Sequence, residues 1–307
     1  VERKPSSPSP VPTISVVVPC RQAERTLETC LKSLFSQTFV PLEVVVVNDG
    51  STDRTVEIAS KFPVVLKNTQ LGTGAGAARR VGAEAAQGEI VAFLDSDCEA
   101  PCDWLSKIAA LFAQDPELGA VGGRYSHPAM KGLIGKLVAL EEEYCHYQFS
   151  LNPTVANPPG GNFAMRRSCW KHIRTSRELY YFSGMASGED SVFCEELRQF
   201  TKVRYNHSLV VEHHTNEASR YFVRHINRGR SRMLIRLYKL VSPNDNKVTM
   251  DAYGGMQMVW ASACLWLAGI FLFLSPVGGW FALAAGGFSL VAHAFFTRDY
   301  FAFAKTQ

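Results

Sequence analysis

The chain has 307 residues, 47% of them apolar and 20% charged, with a net charge of +4. That length allows one or two domains, and the apolar share is ordinary for a globular protein. So small a positive charge makes no case for nucleic acid, and no nucleic-acid-binding signature occurs in the chain. The eight cysteines are scattered: Cys98 and Cys102 form a lone C-x3-C with no second pair at zinc spacing. Free thiols in a reducing compartment are therefore expected. No apolar segment stands at the start, which argues against a secretory signal. Residues 1–12, rich in Pro and Ser, read as a flexible arm.

The elements then alternate. Ile14-Ser-Val-Val-Val18 is a short β-branched strand closed by Pro19. Thr26 to Gln37 carries Leu27, Leu31, Leu34 and Phe35 at helical spacing. Leu42 to Val47 is a second strand, ending in the turn chemistry of Asn48-Asp-Gly-Ser-Thr-Asp53. Asp53 is placed to cap the helix holding Val56, Ile58 and Ala59. Val64 to Leu66 is a third strand, and Gly72-Thr-Gly-Ala-Gly76 leads into an alanine-rich helix through Ala86. A strand ending at Asp95, a helix over Trp104–Phe112 and a strand over Leu118–Val121 follow. This order predicts an α/β fold with a mostly parallel sheet and helices on both faces. The near-continuous Val runs fit strands buried on both sides.

The most informative stretch is Glu89-Ile-Val-Ala-Phe-Leu-Asp-Ser-Asp97, an apolar strand that stops at two carboxylates. Taken alone, it reads as a strand and an acidic turn. Ligands of open α/β sheets, however, collect at the carboxyl ends of the strands. Oxygen donors there suit a hard divalent cation and the phosphates it carries. Pro19-Cys-Arg21 and Asn48-Asp49 end two further strands, so three polar features fall at one sheet edge. The glycines at 72–76 lack dinucleotide-binding spacing and context. A helix start with Arg79 and Arg80 in its first turns still attracts phosphate.

Taken in order, these motifs resemble family 2 glycosyltransferases of the GT-A fold over roughly residues 13–230. Pro19-Cys-Arg-Gln-Ala-Glu-Arg-Thr-Leu27 resembles the opening P-x-x-N-E-x-x-x-L, and Val46-Val-Asn-Asp-Gly-Ser-Thr-Asp53 resembles V-D-D-G-S-x-D. The segment from Gly72 to Gly88, with Ala78-Arg79, is similar to G-x-x-x-A-R-N-x-G, and Asp95-Ser-Asp97 is similar to the family's D-x-D. Gly160-Gly-Asn162 and Gly188-Glu-Asp190 resemble its acceptor-side G-G-N and E-D motifs. The resemblance implies a GT-A domain over 13–219, with a nucleotide-sugar half (13–124) and an acceptor half (125–219). Pro19, Arg21, Asp49, Gly72, Arg79, Asp95 and Ser96 would bind the nucleotide-sugar, a UDP- or GDP-sugar, with Asp49 accepting from the base. Asp97, joined by Asp95, would hold Mn²⁺ or Mg²⁺ against the diphosphate. Asp190, beside Glu189, would be the general base of an inverting, hexosyltransferase-type transfer, across the sugar from the metal. Alone, Glu189-Asp190 reads as the acidic start of a helix over Val192–Phe200. Gly160, Gly161 and Asn162 would lie on the acceptor side.

Gln22 and Ala23 stand where the family usually has Asn and Glu, and Arg80 replaces a common Asn. Leu209-Val-Val-Glu-His-His214 is another strand ending in ligand-type residues, so His213 or His214 is a candidate metal or phosphate contact, beside the reading as ordinary loop histidines. Glu141 to Glu143 read as a solvated helix face, and Tyr144, Tyr147 and Phe149 as core.

The C-terminal third points to a membrane. Arg220, Arg224, Arg228, Arg232 and Arg236 recur every four residues, opposite Phe222, Ile226, Met233, Leu237 and Leu240. Residues 220–250 thus read as a basic amphipathic helix and linker, on lipid headgroups or packed on the catalytic domain. His225-Ile-Asn-Arg228-Gly229 lacks the Trp of the Q-x-x-R-W that marks processive relatives. Met256–Leu274 and Trp280–Phe296 are apolar stretches either side of Ser275-Pro-Val-Gly-Gly279. At about 1.5 Å per residue the first approaches the thickness of the hydrocarbon core. Residues 251–307 read as a membrane-associated helical hairpin, and the flanking Lys and Arg put the catalytic domain on the cytoplasmic side. A buried hairpin in a soluble domain or at an oligomer interface is the alternative. The expected activity is sugar transfer to a lipid-linked or glycan acceptor. Processive polysaccharide synthesis and an inactive GT-A scaffold are the competing readings.

Overall fold

The chain divides into two compact units, Val1–Tyr238 and Lys239–Gln307. The computed structural model describes residues 11–69, 72, 74–126, 149, 152–154, 157–170, 172–173 and 189–214. The expectations for the N-terminal arm before residue 11, the Arg stripe, the apolar hairpin, Tyr144 and Tyr147 therefore lie outside the described residues. Among the described residues no helix is long and apolar enough to cross a membrane.

Among the described residues the strands are β1 (Ile14–Cys20), β2 (Glu43–Asn48), β3 (Val65–Asn68), β4 (Ile90–Leu94), β5 (Cys98–Glu99), β6 (Leu118–Ser126), β7 (Asn162–Arg166) and β8 (Lys202–His213). Among the described residues the helices are α1 (Leu27–Phe35), α2 (Thr55–Ala59), α3 (Ala75–Ala85), α4 (Trp104–Gln114), α5 (Arg167–Trp170) and α6 (Glu189–Arg198). All eight strands form one sheet in the order β3-β2-β1-β4-β7-β6-β8-β5.

The expected parallel sheet holds for β3, β2, β1 and β4. Beyond β4 the sheet is mixed. β7 runs antiparallel to both β4 and β6, β8 is parallel to β6, and β5 is antiparallel to β8. The reversal decides where the site forms. An antiparallel β7 brings its start, not its end, to the carboxyl end of β4, with Asn162 opposite Leu94. β6 and β8 then finish at the same edge as β1, β2 and β4.

Period-two alternation supplies both faces of the core. Val16, Val18, Val44, Val46, Ala92 and Leu94 meet Leu27 and Leu31 of α1, Ile58 of α2 and Trp104 and Ile108 of α4. Val17, Val45, Val47, Val91 and Phe93 face Ala78 and Ala83 of α3, Trp170 of α5 and Phe193 and Leu197 of α6. Burial on both sides explains why the Val runs are continuous. β1 does not stop before Pro19 but continues to Cys20. Its pairing with β4 ends at Val17, so the missing Pro19 N–H costs no ladder bond on that side. Phe149 packs edge-on to Tyr205, as its core reading expects.

Candidate active site

The acidic pair occupies a tight turn. The Cys98 N–H donates to the Asp95 carbonyl at 2.9 Å, closing the four residues Asp95–Cys98 and reversing the chain from β4 into β5. β5 lies antiparallel to β8 with Cys98 opposite His213, and the His214 N–H reaches the Asp97 carbonyl at 2.8 Å. This register sets His213 against Cys98, beside the turn that holds Asp97. The His213 Nε2 stands 3.4 Å from Asp97 Oδ2, with the His213 side chain 5% exposed and Asp97 40%.

The two histidines part company here, because adjacent strand residues point to opposite faces. His214 leaves the proposed metal position and turns to Glu99, 3.3 Å away, and Glu212, 3.8 Å away. Asp97, Cys98 and His213 form a group whose ligand-type atoms lie within 4.8 Å of one another. Two donors at right angles on a cation at about 2.1 Å stand about 3 Å apart. The Asp97–His213 pair is close to that span, and a carboxylate with an imidazole suits Mn²⁺. Burial, then the Asp95 and Asp97 charges, push the Cys98 thiol well up, which keeps it protonated and a poor partner for a hard cation.

Asp95 lies outside that group, although the sequence placed it at the metal. Its Oδ1 accepts from Arg79 Nη2 at 2.7 Å and its Oδ2 from the Tyr125 hydroxyl at 3.2 Å. Burial disfavours its charge, but Arg79, His213 and Tyr125 outweigh that and hold the carboxyl below the ordinary aspartate value. Burial and the Asp95 charge push the Tyr125 phenol well up, so it serves as a donor. Arg79, 9% exposed, also places Nη1 3.6 Å from Asp190 Oδ1. One guanidinium thus joins the end of β4 to the start of α6, where Asp190 sits in the first turn. This is a carboxylate-bridging position, different from the phosphate-facing one that the helix start suggested.

Gly160 and Gly161 explain themselves by what a side chain would strike. A Cβ at Gly160 would collide with Asp190 Oδ1, and one at Gly161 with Asp95 Oδ2 and the Tyr125 hydroxyl. Backbone at this position fits between the two acids only without side chains. Asn162 takes a different part from the acceptor-side one expected of it. It is 1% exposed, donates to the Arg124 and Leu209 carbonyls at 2.9 and 3.0 Å, and accepts from Trp104 Nε1 at 3.0 Å. Its amide ties α4, β6 and β8 to the start of β7.

At the ends of β1 and β2, Asp49 is 2% exposed. Its carboxylate accepts from the Thr69 hydroxyl and, at 2.9 Å, from the Gly74 N–H, with the Arg21 guanidinium 3.8 Å away. Arg21 is half-exposed and lies over Gly72, whose φ is +72°. Pro19 lies opposite Val47, one residue before the end of β1, and Ser96 occupies the turn between the two acids. Asp53 sits one residue before the position expected of a helix cap: α2 begins at Thr55, and Asp53 Oδ1 accepts from its N–H at 3.1 Å. Tyr125 was not singled out in the sequence, and Cys98 was noted only as half of a lone C-x3-C. Tyr125 follows Gly122-Gly-Arg124 with no motif of its own, and Cys98 read as one thiol among eight. All six described cysteines are free.

A model of glycosyl transferase family 2 matches residues 15–174, more than half of the chain. The glycosyltransferase YibD of Escherichia coli is 43% identical over 90 residues, 28% of this chain and 26% of that protein. The glucosyl-dolichyl phosphate glucuronosyltransferase of Haloferax volcanii is 33% identical over 116 residues, 36% of this chain and 37% of that protein. The matched regions thus span about a quarter to a third of these relatives. The crystal structure of S. aureus TarS 1-349 in complex with UDP-GlcNAc superposes with a TM-score of 0.50 at 22% identity, over 67% of this chain and 60% of that one. That likeness is one of fold, in line with the mixed sheet described above. The chain therefore belongs to glycosyl transferase family 2.

Proposed function

We propose that the chain transfers a sugar from a nucleoside-diphosphate donor, UDP- or GDP-linked, to an acceptor hydroxyl with inversion. The observation that carries this reading is that Arg79 bridges Asp95 and Asp190 while Asp97, two residues past Asp95, pairs with His213. Family membership and a UDP-GlcNAc complex of the same fold support a nucleotide-sugar donor. Arg21 and Asp49 line the nucleoside end. Asp97 and His213 would hold Mn²⁺ or Mg²⁺; when bound, that cation neutralises the charge developing on the departing diphosphate. Asp190, on the other side of Arg79, accepts the proton of the acceptor hydroxyl as it attacks. Glu189 precedes it at the start of α6. Arg79 and Tyr125 fix Asp95 next to the sugar, and the bare backbone of Gly160-Gly161 leaves room between the acids.

The acceptor we favour is lipid-linked or a glycan, reached from the cytoplasmic face of a membrane. The apolar stretches at 256–274 and 280–296 and the relative named for a dolichyl phosphate substrate support it. Transfer of radiolabelled sugar from UDP- and GDP-sugars into a lipid extract tests the proposal. Mn²⁺-dependent incorporation that Asp97→Asn lowers about 100-fold is the expected result. Full transfer by Asp97→Asn in the presence of Mn²⁺ would remove it.

A further inference from the structure

The loops after β1 and β2 are laced together by a reciprocal set of hydrogen bonds. Three consecutive backbone N–H groups of the first loop each take a side chain of the second. The Gln22 N–H donates to Ser51 Oγ at 3.0 Å, the Ala23 N–H to Thr55 Oγ1 at 2.8 Å and the Glu24 N–H to Asp53 Oδ2 at 3.1 Å. The second loop answers in kind. The Thr52 N–H donates to Gln22 Oε1 at 2.6 Å and the Arg54 N–H to Glu24 Oε2 at 3.3 Å. Gln22 is the only described non-glycine residue with positive φ, at +52°. A left-handed glutamine is uncommon, and such strain persists only where the surroundings over-determine it. Here they do, because Gln22 is held at both its N–H and its amide oxygen.

The lacing starts where the donor's nucleoside is proposed to sit. The Asp49 N–H donates to the Cys20 carbonyl at 2.9 Å, and Arg21, directly before Gln22, reaches across to Asp49 at 3.8 Å. We infer that Gln22 is a positioning residue: its left-handed turn and its amide bond to Thr52 hold Arg21 and Asp49 as one wall of the nucleoside pocket. Ser51, Asp53 and Thr55 support that wall through the Gln22, Glu24 and Ala23 N–H groups. The inference rests on the donor reading given above.

Calorimetric titration of the full chain with UDP and with GDP tests it, alongside hydrogen exchange of the free protein. Gln22→Gly adopts the same φ without strain and loses only the amide. Gln22→Ala loses the amide and keeps the strain. Both are expected to bind the nucleotide about three- to tenfold more weakly, the worth of one hydrogen bond. KM for the nucleotide-sugar rises by the same factor while kcat changes less than twofold, and exchange quickens at the Thr52 amide. A residue that served stability alone would give the opposite pattern, with Gln22→Gly binding as the wild type does. Wild-type binding with unchanged affinity in both variants overturns the inference alone. A wild type that binds neither UDP nor GDP overturns the donor reading and the inference with it.

Discussion

Arg79 shows most clearly what a single side chain contributes to this site. It is buried between two carboxylates, Asp95 just past the end of β4 and Asp190 in the first turn of α6. Replacing it by Met keeps much of its bulk and leaves both acids without their shared cation. The acids are only partly buried, at 26% and 31% exposure, so solvent screens part of the loss. A destabilisation of about 2 kcal/mol is expected, read as a lower denaturation midpoint, with transfer reduced at least tenfold. The pH dependence of stability follows from Asp95. Its pKa is lowered on folding, so its contribution is complete above the unfolded value of about 3.9 and is lost as pH falls through the folded value. Thermal melts from pH 7 to pH 3 should fall more steeply for the wild type than for Asp95→Asn. A site-directed Gly161→Ala is predicted to retain the fold and lose activity, because its methyl group meets Asp95 at the site itself. Circular dichroism alongside a transfer assay separates the two effects.

At the level of elements, α3 illustrates packing overriding propensity. Gly82 lies inside the helix, where alanine is worth about 1 kcal/mol more. A Cβ at that position would collide with Val17 Cγ1 of β1. Gly82→Ala is therefore expected to destabilise by about 1–3 kcal/mol despite the better helix former, and urea denaturation gives the sign directly. The elements before Asp95 were largely legible in the sequence. Their strands are buried on both faces, so Val16 to Val18 and Val44 to Val47 announce themselves without ambiguity. Past β4 the signal weakens. β5 is two residues long, and β7 starts inside a glycine motif that reads as loop. The antiparallel turn of β7 has no local cause in its five residues; it is fixed by pairing on both sides, with β4 and with β6.

At the level of the whole molecule, the sheet edge gathers residues that lie far apart in the chain. Asp97, Asp190 and His213 were visible as candidates because each ends a strand or starts a helix in a recognisable motif. The pairing of Asp97 with His213 was not visible, since it depends on the Cys98–His213 register across β5 and β8. The same register separates His213 from His214, a choice that two adjacent identical residues cannot reveal. Asn162 misled for a related reason: a motif position in a loop suggests ligand contact, whereas its amide is consumed by three partners within the fold. Asp97 is proposed to serve the diphosphate through a cation while Asp190 serves the acceptor. Calorimetric titration of UDP into wild type, Asp97→Asn and Asp190→Asn, with and without Mn²⁺, tests it most directly. The expected result is Mn²⁺-dependent UDP binding in the wild type, its loss in Asp97→Asn and its retention in Asp190→Asn. Undiminished Mn²⁺-dependent binding in Asp97→Asn would contradict it.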